Sequence, residues 1–75
     1  MKVTVITGSW ARRYAVQEET KLLLPEGACA AAVLELLRIP AEEVGLIAVG
    51  DSAVSRQTLL AEGDTVRIFP LVVGG

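Results

Sequence analysis

Only one stretch of this sequence carries a helical period, and both of its ends are marked. "ACAAAVLELLR" (Ala28 to Arg38) is built of helix formers. Cys29, Val33 and Leu37 recur four residues apart, and Ala30, Leu34 and Leu37 repeat the i, i+4, i+7 pattern. Pro25-Glu26-Gly27 stands before it, with Gly27 as the expected N-cap. Arg38 suits the negative end of the helix dipole, and Pro40 disfavours helical geometry at Ile39 and so closes the element. Glu35 and Arg38 are its only charges, so most of this helix has to be covered.

The other apolar runs are short and strand-like. "KVTVIT" (Lys2 to Thr7) is β-branched and ends at Gly8, "TKLLL" (Thr20 to Leu24) ends at Pro25, and "GLIAVG" (Gly45 to Gly50) is apolar on both faces. "TVRIF" (Thr65 to Phe69) alternates: Val66 and Ile68 share one face, while Thr65, Arg67 and Phe69 share the other. "GSWARRYAVQEE" reads as a loop or a distorted hairpin limb, and "DSAVSRQTLLAE" as turns with a minor strand. "EGD" (Glu62 to Asp64) is a turn.

One helix laid across one face of a sheet is the simplest way to bury these faces. The order predicts an α+β domain of the β-grasp type, with a mixed sheet of four or five strands. A ferredoxin-like variant is compatible with the same order. The expected organisation is one domain over residues 1–75, with 70–75 as a flexible C-terminal diglycine tail.

At this length a chain buries only about 60% of its unfolded surface, enough for one small core. One cysteine rules out an internal disulfide and suits a reducing compartment. The opening "MKVTVITG" lacks the long apolar stretch of a secretory signal. No run approaches the roughly 20 apolar residues of a membrane span, so a cytoplasmic protein without a membrane partner is expected. Seven basic residues stand against nine acidic ones, and Arg12-Arg13 is the only basic cluster. Without a basic stripe or stacking rings, no nucleic-acid partner is expected.

Histidine is absent, which removes the commonest general base and zinc ligand. No Cys-x-x-Cys pair or phosphate-cradling glycine loop occurs, so neither a metal site nor a bound cofactor is expected. Cys29 lies in an Ala-rich apolar run and reads as a small packed hydrophobe. Asp51 and Asp64 beside glycines read as turn residues.

One group has unusual presentation: the carboxylate of Gly75. Extended, Pro70 to Gly75 reaches about 20 Å. Gly74 and Gly75 lack Cβ atoms, fit a channel too narrow for side chains and let a partner's backbone come close. A plain carboxylate is a poor electrophile, so a separate enzyme has to activate it. Conversion to an acyl-adenylate would open its carbonyl carbon to sulfur or an amine.

"LLAEGDTVRIFPLVVGG" resembles the end of the ubiquitin-like sulfur carriers, the family of the molybdopterin synthase small subunit and the thiamine-biosynthesis carrier. Their pattern is L-x-D/E-G-D-x-V-x-I/F-F-P-P-V-x-G-G, which Leu60, Glu62, Gly63, Asp64, Val66, Ile68, Phe69, Pro70, Val72, Gly74 and Gly75 match. Leu71 stands where the pattern has its second proline. The resemblance implies a carrier that is not itself an enzyme. An activating enzyme of the ubiquitin-activating type would adenylate Gly75 with ATP, and a persulfide sulfur would then leave a thiocarboxylate. A synthase large subunit would receive that sulfur. It further implies that Gly74 fits the channel and that Arg67, Phe69, Pro70, Leu71, Val72 and Val73 dock. "IFPLVVGG" is more similar to the molybdopterin branch. The alternatives are a thiamine-biosynthesis carrier, a β-grasp interaction module without tail chemistry, and a ubiquitin-like modifier.

Overall fold

The structure, a computed structural model, describes residues 1–72. Along the chain run β1 (Lys2–Ile6), a 3-10 turn (Ser9–Tyr14), β2 (Glu19–Leu23), α1 (Ala30–Leu37), a second 3-10 turn (Ala41–Glu43), β3 (Val44–Val49), β4 (Ser52–Val54) and β5 (Thr65–Pro70). The strands form one five-stranded sheet in the order β2-β1-β5-β3-β4. β5 therefore lies in the middle, parallel to β1 and antiparallel to β3. This is the mixed sheet with one main helix expected for a β-grasp.

Alternation along the strands decides what meets the helix. Val3, Val5, Ile47, Val66 and Ile68 enter the core together with Ala30, Val33 and Leu34 of α1. Val3, Val5, Val33 and Val66 are fully enclosed. Burying each such side chain contributes about 1.5–3 kcal/mol. No polar side chain is buried among the described residues, so this core is held by apolar packing alone.

The helix ends differ from expectation in instructive ways. Gly27 is not the N-cap; it sits earlier, in a turn, at φ 85°. Cys29 occupies the cap position but makes no side-chain capping bond. Instead, Ala30 N–H donates to the Thr58 carbonyl and Ala31 N–H to that of Arg56, both at 2.9 Å. Backbone from the far end of the chain thus satisfies donors that a helix start leaves open. At the other end Arg38 lies just past the helix at φ 57°, and its N–H and that of Ile39 close onto the Glu35 and Leu34 carbonyls.

The segment around Trp10 is neither open loop nor hairpin limb. It forms a 3-10 turn that buries Ala11 and packs Trp10 and Tyr14 against the core. No helix among the described residues is long and apolar enough to cross a membrane.

Candidate functional site

Of the residues proposed from the sequence for docking, Arg67, Phe69 and Pro70 lie on β5, with Leu71 and Val72 just past it. Alternation along β5 sends Val66 and Ile68 into the core, while Arg67 is exposed and Phe69 is 44% exposed on the open face. Directly across, on β3, Leu46 pairs with Phe69 and is itself 45% exposed. Ala48 pairs with Arg67 beside them, and the Arg67 guanidinium reaches the Gly50 carbonyl at 3.4 Å. Past the strand, Leu71 and Val72 are exposed as well. The open face therefore carries an apolar cluster that runs directly into the start of the tail.

Pro70, read from the sequence as the first tail residue, is the last residue of β5 and pairs with Val44. Having no N–H, proline is tolerated where a strand stops. Leu71 still makes one bond to the domain, donating its N–H to the Glu43 carbonyl at 2.8 Å. A proline at position 71 would have no donor for that carbonyl. Arg56 braces the receiving segment from the other side, its guanidinium donating to the carbonyls of Ala41 at 2.8 Å and Val44 at 3.3 Å. Val73, expected to dock, Gly74, expected in the channel, and Gly75, expected to react, lie outside the described residues.

Two positions here are not legible from sequence spacing. Leu46 lies in a run that is apolar on both faces, so its outward direction emerges only from pairing with Phe69. Gly45 also belongs to the site: an added Cβ would stand 2.9 Å from the Pro70 carbonyl oxygen.

The other candidates lie apart from this cluster in the chain. Arg12 pairs with Glu18 at 2.7 Å, and Arg13 lies over the Tyr14 ring, 5.9 Å from its centroid. Such exposed pairs contribute little energy, and both arginines remain exposed. Asp64 accepts the Ala61 N–H at 2.8 Å and so closes a turn. Cys29 is half-buried and bridges to Leu59 through the backbone. Among the described residues no three metal-ligating side chains gather.

The comparisons with known proteins agree with this geometry. A family model described as the ThiS family matches residues 9–75. No curated protein sequence matches the chain. A Pyrococcus furiosus protein assigned as molybdopterin converting factor subunit 1 is 30% identical, with a TM-score of 0.79 and coverage of 96% of this chain and 99% of that one. A chain from the complex of subunits 1 and 2 of molybdopterin-converting factor from Helicobacter pylori is 21% identical, with a TM-score of 0.67 and full coverage, 100%, of both. A ubiquitin from Caldiarchaeum subterraneum is 17% identical, with a TM-score of 0.66 and coverage of 100% and 98%. The last two share the β-grasp fold with this chain.

Proposed function

The chain belongs to the ThiS family of ubiquitin-like sulfur carriers, and from that premise we propose that the carboxylate of Gly75 carries the sulfur as a thiocarboxylate. The carboxylate attacks the α-phosphorus of ATP on a separate activating enzyme, and pyrophosphate leaves. The terminal sulfur of a persulfide then displaces AMP from the acyl-adenylate. A thiol cleaves the resulting S–S bond, leaving the thiocarboxylate. The carrier binds no cofactor of its own in this scheme. Its chemistry is that of an activated acyl group attacked by sulfur.

The observation that carries this reading is the position of the Phe69–Leu46 cluster at the root of the tail. A face that docks there places the partner's active site within the tail's short reach. Aromatic side chains, Phe among them, are enriched at interfaces, where a few residues carry most of the binding energy. The first partner is the adenylating enzyme. The second is a synthase large subunit, supported by the complex of subunits 1 and 2 in which the Helicobacter pylori chain is found. The pathway served is molybdopterin synthesis, supported by the 30% identity to the Pyrococcus furiosus subunit 1.

Intact-mass measurement tests the chemistry. After incubation with ATP, a persulfide donor and the cognate activating enzyme, the mass is expected to rise by the difference between one sulfur and one oxygen atom. The change should map to the C-terminal peptide. An unchanged mass with an active enzyme would overturn the carrier reading for Gly75.

A further inference from the structure

β3 and β5 pair in step from Val49↔Val66 to Leu46↔Phe69 and then slip, so that Val44 faces Pro70 and Gly45 has no partner. The extra residue on β3 is a bulge, a feature that re-aims a strand end. Glycine is required there by space rather than by backbone conformation, because Gly45 is not among the residues with positive φ. A Cβ at position 45 would lie 2.9 Å from the Pro70 carbonyl oxygen and 3.0 Å from Leu71 Cα. Both are backbone atoms, so no side-chain rotation relieves the clash, and the spacing between β3 and the end of β5 has to change. With glycine in place, β5 closes in and Leu71 N–H reaches the Glu43 carbonyl at 2.8 Å.

We propose that Gly45 is a positioning residue for the reaction at the tail: the contact it permits sets the direction in which the chain leaves the sheet at Leu71. The proposal rests on the reading of Gly75 as the reacting group. Gly75 stands four residues beyond Leu71, a reach of about 14 Å at most. A leash of that length spans a limited volume about its root, so the position of Leu71 limits where the carboxylate can be presented. Misplacing a reacting group by about 1 Å can cost on the order of a hundredfold in rate. The docking cluster of Phe69 and Leu46 lies on the opposite side of the step in pairing and keeps its own register.

Gly45→Ala tests this in two ways. Amide hydrogen exchange is expected to show Leu71 protected in the wild type and unprotected in a folded variant. In steady-state adenylation, kcat is expected to fall by about tenfold or more, a larger factor than any rise in KM for the carrier, since Phe69 and Leu46 keep their pairing while Pro70 and Leu71 shift. A wild-type kcat in Gly45→Ala would overturn the positioning role alone. A wild type that is never adenylated would instead overturn the reading of Gly75, and the proposal with it. Should the variant fail to fold, wild-type exchange decides: protection of Leu71 supports the contact, and exchange at the free-chain rate overturns it.

Discussion

Leu46 and Phe69 are cross-strand partners on β3 and β5, and each leaves nearly half of its surface in solvent. Each stands one residue from a fully packed neighbour, Ile47 and Ile68, which face each other on the helix side. A step of one residue therefore separates a side chain that holds the fold from one that is free to meet a partner.

Ile68→Ala is expected to lower stability by about 2–5 kcal/mol, because it removes a buried side chain from the central strand. Chemical denaturation measures this directly. A loss well below that range would show that the helix side of β5 is not the core.

Phe69→Ala is expected to do the opposite. With the ring half in solvent, folding should change little, while affinity for the activating enzyme or the large subunit should fall by roughly thirtyfold, the equivalent of about 2 kcal/mol. Calorimetric titration beside a melting curve separates the two effects. Unchanged affinity in the folded variant would remove Phe69 from the docking surface.

Deleting Gly75 is expected to abolish thiocarboxylate formation without moving the melting temperature. The last buried side chain of β5 is Ile68, and Val72 is already 80% exposed. A large drop in melting temperature would give the end of the chain a structural role instead.

Cys29→Ala is expected to support sulfur transfer at the wild-type rate. The thiol makes no capping bond to α1, and the donors of the helix start are taken by backbone carbonyls. The stability change should stay within about 1 kcal/mol. Loss of transfer from the folded variant would make the thiol part of the chemistry.

The local patterns were readable without a structure. Helical spacing from Ala28 onward and the stop at Pro40 placed α1, although its first turn begins later, at Ala30. Alternation over residues 65–69 assigned the two faces of β5, including the outward direction of Phe69. The pattern ending in Gly74-Gly75 pointed to the family that the match over residues 9–75 establishes.

What the sequence determined by itself is what a period of two or of 3.6 residues can encode: which residues share a face and where an element stops. Tertiary structure alone decided which backbones meet. The start of α1 is capped by the carbonyls of Arg56 and Thr58, and β5 enters the middle of the sheet between β1 and β3. Leu46 turns outward in the register that β3 takes against β5, because alternation alone cannot say which face of a strand apolar on both sides is buried. Gly45 matters only because Pro70 and Leu71 come to lie against it. Hydrogen bonds and close contacts between residues far apart in the chain leave no periodic trace, since they depend on where the folded backbone arrives rather than on the order of neighbouring side chains.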